Sequence, residues 1–148
     1  MTPVRHRRAL PSTPASAGEA RRFVDDALAD PQVVPVVYAA TLLVSELVAN
    51  VVLHSGTPLE VVVAVDGARV RVEVHDGSPR MPVRKNYSSL SGTGRGLMLV
   101  DRMSSAWGTE PTPAGKVVWF ELDAADAPVV DLLDVDALEL DALQVDAR

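Results

Sequence analysis

The chain has 148 residues, 47% of them apolar, and no cysteine, so it predicts one globular domain and excludes disulfides, thiolate metal sites and cysteine nucleophiles. The formal net charge of −6 argues against nucleic-acid binding, which favours a basic surface. The N-terminal residues contain no apolar signal segment, and the apolar tract from Val33 to Val44 is too short to cross a bilayer. We therefore expect a cytoplasmic protein without a membrane span.

The first half of the chain predicts one strand followed by two helices. Residues 1–10 predict a short edge strand. Apolar residues recur at helical spacing from about Ser16 to Leu28 and predict the first helix. A second helix is predicted from Val36 to His54, and Ser55-Gly56 ends it.

The second half predicts a hairpin, a long loop, a third helix and a final strand. Strands at Leu59–Val65 and Arg69–Asp76 are joined by Asp66-Gly67, a strong hairpin signal. Residues 77–95 lack a periodic apolar pattern and predict a loop, and a third helix starts at Leu97. The last strand is predicted at Gly115–Leu122, paired with a short strand near Ser105–Glu110.

The composition changes at Asp123, where acidic residues alternate irregularly with Leu and Val. Neither a helical nor a strand period fits the whole segment. We therefore predict a domain at residues 1–122 and an acidic C-terminal tail at residues 123–148. The tail is either a solvated extension or an acidic amphipathic docking segment.

Three polar residues recur at intervals of four within the otherwise apolar second helix. Glu46, Asn50 and His54 lie along one edge of an ideal helix, each about 40° round from the last. By themselves they indicate a solvent-facing stripe, a satisfied polar seam or a functional edge.

Asp76 ends a strand in which Val70, Val72 and Val74 share one face. Asp76 has the same parity as these valines, so its carboxylate is predicted to point towards the apolar face. A buried carboxylate requires a hydrogen-bond donor. The alternative is that Asp76-Gly77 simply forms a turn at the strand end.

The stretch GTGRGLMLV, Gly92 to Val100, has three glycines leading into a helix. Exposed backbone N–H groups at a helix N-terminus suit phosphate oxygens, although such a cluster also fits a flexible hinge. The pattern is neither a dinucleotide-binding fingerprint nor a Walker A loop, because the third glycine of the first and the Gly-Lys-Ser/Thr of the second are missing.

Taken in order, ELVAN (Glu46 to Asn50), VHDGSP (Val74 to Pro79), GTGRGLMLV and GKVVWFEL resemble the GHKL ATPase domain, the Bergerat fold. Within that family the chain is most similar to the anti-sigma-factor serine/threonine kinases. The resemblance implies an α+β, two-layer α/β sandwich, with a mixed, mainly antiparallel sheet and three helices on one face. It also implies that ATP lies between helix and sheet.

The resemblance implies roles for individual residues. Glu46 resembles the catalytic base, Asn50 the Mg²⁺ ligand, and Asp76 the acceptor for the adenine amino group. The other implied ATP-binding residues are Gly77, Gly92, Gly94, Arg95, Gly96 and Leu97. No role is implied for His54, which we expect to be a packed or capping histidine.

Two positions differ from the family pattern. Ser78-Pro79 stand where a second glycine is common in the adenine motif, and Lys116-Val117 stand where a threonine commonly follows the glycine of the last strand.

The function implied by the resemblance is an ATP- and Mg²⁺-dependent protein serine/threonine kinase. It would bind a sigma factor and phosphorylate a STAS-type antagonist, and homodimerisation is left open. The two differing positions favour an alternative, a nucleotide-binding module that binds partners without transferring phosphate. A third hypothesis is a histidine-kinase ATPase module that has lost its dimerisation helices.

Overall fold

The computed structural model describes residues 3–80 and 92–127, and for residues 92–96 only the backbone. Five strands form one sheet in the order β1-β2-β3-β5-β4. Their bounds are Val4–Leu10 (β1), Leu59–Asp66 (β2), Arg69–Asp76 (β3), Ala106–Thr112 (β4) and Gly115–Asp123 (β5). Each pairing within the described residues is antiparallel. The prediction was a mixed, mainly antiparallel sheet. Among the described residues the sheet is entirely antiparallel.

Three α-helices pack with the sheet to give an α+β, two-layer sandwich, as predicted. They are Ser16–Ala27 (α1), Val37–Asn50 (α2) and Gly92–Met103 (α3). The third begins five residues before the predicted Leu97, so its first turn contains the glycine cluster. The start was predicted later because residues 77–95 lack a periodic apolar pattern, and the glycines also disfavour a helix by about 1 kcal/mol per residue relative to alanine.

The predicted second helix corresponds to α2 and a π-helical turn, and the helical run also extends further towards the N-terminus than predicted. A 3₁₀ segment at Pro31–Val36 precedes α2, and a π-helical turn at Val51–Ser55 follows it. Gly56 ends the run in the left-handed region, with φ 65°, and its N–H donates to the carbonyl oxygen of Val51 at 3.0 Å. A π-helical turn is wider than an α-helical turn. After Val51, the side chains therefore do not lie along the same edge of the helix as they would in a continuous α-helix.

The helical run Pro31–Ser55 is longer than the apolar tract predicted to be too short for a membrane. Its 25 residues include an 18-residue window with a mean hydropathy of 2.0, so the run reaches the length and composition that a membrane span needs. Within the fold, however, α2 is the central core helix, and its buried residues include the carboxylate-bearing Glu46. These are the properties of a buried helix in a packed domain.

One face of the sheet packs against the helices and forms the hydrophobic core. Along β3, the inward side chains alternate strictly with outward ones, as the period of a strand requires. The largest side chains that are fully buried come from helices and strands alike: Phe120, Leu28, Leu43, Leu97 and Leu122. This packing places α2 over β3, the strand that carries Asp76, and α3 beside α2.

The opposite face of the sheet carries a charged network around one tryptophan. The Arg71 guanidinium lies 4.1 Å from the centroid of the Trp119 ring, and it donates to Glu73 at 2.9 Å and to Glu121 at 3.2 Å. His75 Nε2 lies 2.8 Å from the other oxygen of Glu73. Burial raises the pKa of Glu73, but the hydrogen bonds and the charges of Arg71 and His75 together lower it more, so its pKa is below the ordinary value.

Residues beyond the predicted domain end continue the ordered chain for a short distance. Strand β5 includes Asp123, and the N–H of Ala124 donates to the carbonyl oxygen of Ala68 at 2.8 Å. A 3₁₀ turn follows at Ala124–Asp126, and Ala127 packs against the core. Residues 128–148 lie outside the described residues, so the division between domain and tail stays a prediction.

Candidate functional site

Asp76 lies at the end of β3 with its carboxylate directed inward, as strand parity predicted. Its side chain is 1% exposed. The N–H of Ser78 donates to Oδ1 at 2.8 Å, which closes a tight turn immediately after the strand. Asp76 therefore ends the strand and also places a buried carboxylate under the helical layer, so the two interpretations of the sequence are both correct in part.

The partner of Asp76 is Lys116, which belongs to one of the two positions at which the sequence differs from the family pattern. The two residues face each other in the β3–β5 register, and the side chain of Lys116 is only 7% exposed. Its ammonium donates to Asp76 Oδ1 at 2.9 Å and lies 2.9 Å from Oδ2. Strand parity with Val118 and Phe120 could have revealed that Lys116 points inward.

Lys116 also connects the sheet to the end of the helical run that carries Glu46. Its ammonium donates to Ser55 Oγ at 3.1 Å and makes a longer contact of 3.4 Å with the carbonyl oxygen of Ser78. A second bond spans the same junction, because the N–H of Gly77 donates to Thr57 Oγ1 at 2.9 Å. The end of the helical run and the ends of β3 and β5 are therefore held together at this site.

Gly115 makes the close approach of β5 to the Asp76-Gly77 turn possible. A Cβ at Gly115 would overlap the carbonyl oxygen of Asp76 and stand 2.6 Å from the carbonyl carbon of Gly77. At Gly77, by contrast, a Cβ would meet Thr57 at an ordinary contact distance of 3.4 Å. Packing therefore requires glycine at 115, whereas it does not by itself explain the glycine at 77.

Glu46 and Asn50 lie one turn apart on the last part of α2, where the sequence placed them. Glu46 is 7% exposed and Asn50 is partly buried as the final residue of the helix. A carboxylate in this position is shielded from bulk water, which strengthens its electrostatic interactions with neighbouring groups. The predicted polar edge is therefore retained at least from Glu46 to Asn50.

Of the two alternatives predicted for His54, the packed histidine is wrong, and the capping histidine stays a prediction. His54 is exposed, and it lies in the π-helical turn that follows Asn50. The wider turn shifts His54 away from the edge that an ideal α-helix would give, because each residue then rotates through less than 100°. Such π-turns occur frequently at functional sites.

The glycine-rich segment is only partly described. The backbone of Gly92, Gly94 and Gly96 belongs to α3, but the side chain of Arg95 lies outside the described part of the structure. Leu97 is 1% exposed and belongs to the hydrophobic core. Its side chain thus anchors α3, and the predicted contacts of this segment with phosphate stay predictions.

Comparison with known proteins places this arrangement in a family. The sequence model of one protein family, the histidine kinase-like ATPase domain, matches residues 10–122, which is most of the chain. The chain therefore belongs to this family, part of the ATP-binding GHKL class, and its two-layer sandwich agrees with that assignment. A search of curated proteins found no match.

Proposed function

We propose that the chain is an ATP- and Mg²⁺-dependent protein serine/threonine kinase of the anti-sigma-factor type, which acts in the cytoplasm. The observation that carries the proposal is the buried carboxylate of Glu46, one turn before Asn50 on α2. Family membership supports the ATP-binding part of the proposal. The resemblance of the sequence motifs to the serine/threonine kinase group supports phosphate transfer to a protein.

The base of ATP would be recognised at Asp76. The fit rests on Oδ2, which is buried and has no well-aligned hydrogen-bond partner among the described residues, although Lys116 lies within ion-pair distance. The ammonium compensates the charge of the carboxylate but leaves a lone pair of Oδ2 without an aligned donor. An exocyclic amino group of adenine would supply the missing donor, so the site fits the base.

The Mg²⁺ would be held by the side-chain oxygen of Asn50 together with phosphate oxygens and water. The described residues contain no group of three or more His, Asp or Glu side chains that could hold a metal by themselves. Mg²⁺ commonly binds to one or two protein oxygens and substrate phosphates, so Asn50 fits this mode. When bound, the ion neutralises negative charge on the phosphates.

Glu46 would orient the attacking hydroxyl of the protein substrate. The hydroxyl oxygen forms a bond to the γ-phosphorus, the bond to the β,γ-bridging oxygen breaks, and ADP leaves. The Glu46 carboxylate accepts the hydroxyl proton. A positioned base of this kind contributes about 10²–10⁴-fold to the rate.

The proposed protein substrate is a STAS-type antagonist, and the proposed binding partner is a sigma factor. Both follow from the resemblance to the anti-sigma-factor kinases. A homodimer would be compatible with the same partners.

A second candidate is a non-catalytic ATP-binding module that acts by binding partners. The observation that favours it is Lys116, whose ammonium binds the same carboxylate that is proposed to read the base. If this ion pair closes the base site, the chain would bind nucleotide weakly and would not turn it over.

A transfer assay separates the two candidates. The full chain is incubated with γ-labelled ATP, Mg²⁺ and the STAS-type proteins encoded near it, with each acceptor Ser/Thr→Ala variant as a matched control. The kinase proposal expects label on one wild-type antagonist, none on its alanine variant, and none when Mg²⁺ is chelated. ATP binding without transfer to any antagonist would instead support the binding module.

A further inference from the structure

The base site contains a buried cation that the sequence motifs do not assign to any role. Lys116 is one of two lysines in the chain, and it is almost entirely buried beside Asp76. A buried ion pair is not in itself stabilising relative to apolar residues of similar size. Its presence at the strand ends therefore calls for a reason other than stability.

The hydrogen-bonding capacity of the pair is only partly used. An ammonium has three N–H groups, and here two of them have short bonds, to Asp76 Oδ1 and Ser55 Oγ. Two further contacts of the ammonium are weaker as hydrogen bonds: Asp76 Oδ2 lies 2.9 Å away but without hydrogen-bond alignment, and the carbonyl oxygen of Ser78 lies 3.4 Å away. Asp76 Oδ2 has no aligned donor among the described residues. The pair thus offers one acceptor and one weakly used donor, side by side.

We propose that Lys116 is a specificity-determining residue that reads the base together with Asp76. Asp76 Oδ2 accepts from the 6-amino group of adenine, and Lys116 donates to the adjacent ring nitrogen N1. Adenine presents this donor and this acceptor as neighbours on one edge, which matches the neighbouring acceptor and donor of the pair. This inference rests on the proposed ATP binding and adds a contact that the family resemblance does not assign.

The same arrangement discriminates against guanine. Guanine carries an acceptor oxygen at position 6 and an N–H at position 1, so each group would face the wrong partner. Asp76 is fixed by the N–H of Ser78, and Lys116 is fixed by Ser55, so neither side chain exchanges places without losing a bond. An uncharged base also suits a pocket whose carboxylate is already neutralised by an ammonium.

The test removes the N1 acceptor from the nucleotide and the donor from the protein in turn. Binding of ATP and of 1-deaza-ATP, in which C–H replaces N1, is measured by calorimetry on the full chain and on Lys116→Met. Wild type should bind 1-deaza-ATP about 10–100-fold more weakly than ATP, the loss typical of a hydrogen bond to a charged group. In Lys116→Met the two nucleotides should bind within about twofold of each other, and the preference for ATP over GTP should fall.

Two further variants keep the test decisive if Lys116→Met does not fold. Asp76→Asn/Lys116→Met removes both charges and should also lose the sensitivity to N1, whereas Lys116→Arg keeps a donor and should retain it. Arg69→Met, an exposed cation at the start of β3, is the matched control and should behave as wild type. If replacing ATP by 1-deaza-ATP weakens binding equally in wild type and in the variants that lack Lys116, the inference is overturned. The proposed ATP site would not be affected by that result. Failure of wild type to bind ATP at all would overturn the proposed ATP site, and this inference with it.

Discussion

The ammonium of Lys116 lies 3.1 Å from the hydroxyl oxygen of Ser55, so the last strand holds the end of the helical run that carries Glu46 and Asn50. The same ammonium binds Asp76 at the end of β3. One buried side chain thus joins the residues proposed to read the base to the helix proposed to carry the catalytic base. A change at Lys116 is therefore expected to affect both stability and nucleotide binding.

The stability of the domain should depend on Lys116 and Asp76 as a pair. Lys116→Met leaves a buried carboxylate without its cation, so the free energy of unfolding should fall by about 3–5 kcal/mol. Asp76→Asn/Lys116→Met removes both charges and should be destabilised less than Lys116→Met. Urea unfolding followed by circular dichroism measures both losses. The unfolding free energy of Asp76→Asn is measured in the same way. If the loss in the double variant equals the sum of the losses in Lys116→Met and Asp76→Asn, the two residues are not coupled and this prediction is contradicted.

Binding of ATP should depend on the carboxylate of Asp76. Asp76→Asn keeps the shape but removes the charge, so the free energy of binding an ATP analogue should weaken by about 1.5–3 kcal/mol, as for a hydrogen bond involving an ionised group. Calorimetric titration of variants shown to be folded measures this change. Asp66→Asn, at the exposed end of β2, is the control and should bind as wild type. Unchanged affinity in Asp76→Asn would remove Asp76 from the base site.

The charged network on the outer face should make stability sensitive to acid. The folded-state pKa of Glu73 is lowered below the ordinary value of 4.5, despite burial, by Arg71 and His75. Its contribution is therefore present above pH 4.5 and is lost as the pH falls through the folded-state pKa. The difference in unfolding free energy between wild type and Glu73→Gln should be constant above that pH and should shrink below it. Glu110→Gln, at an exposed position of β4, is the control, and a difference for Glu73→Gln that does not change with pH would contradict this account.

Asn50 should matter only when Mg²⁺ is present. If its side-chain oxygen ligates the ion, Asn50→Ala should weaken ATP binding in Mg²⁺ and abolish phosphate transfer, while binding measured in EDTA should change little. Calorimetric titrations with and without Mg²⁺ separate these effects. Gln32→Ala removes an amide side chain from an exposed position and should alter neither titration. An equal loss of affinity in both buffers would assign Asn50 to packing instead of metal binding.

Strand periodicity predicted the part of the site that lies on β3. The alternation of valines with charged residues placed Asp76 inward, and the structure confirms this position. Lys116 was not predicted to point inward, although it shares strand parity with Val118 and Phe120, because the continuous apolar run from Val117 to Phe120 hides the alternation. Asp76, the partner of Lys116, lies on another strand and is 40 residues away in sequence. Only the register between β3 and β5 brings the two residues together.

Helical periodicity was less reliable at the ends of helices. It predicted Glu46 and Asn50 on one helix, but it extended the edge to His54, where a π-helical turn intervenes. An ideal helix has a fixed rotation per residue, and nothing in the local pattern of apolar residues marks the change to a wider turn. The early start of α3 was missed for a related reason, because packing of Leu97 and Val100 overrides the low helix propensity of the preceding glycines.

The most direct test of the proposed kinase is the rate of phosphate transfer by Glu46→Gln at saturating ATP and Mg²⁺, with ATP affinity measured on the same protein. Glutamine keeps the size of the side chain but cannot accept the hydroxyl proton as a carboxylate does. The account predicts nearly unchanged affinity and a transfer rate lower by on the order of 10²-fold or more. Glu19→Gln on α1 is the matched control and should transfer phosphate at the wild-type rate. Transfer by Glu46→Gln at the wild-type rate would contradict the assignment of Glu46 as the base, and absence of transfer in wild type would leave the binding module as the function.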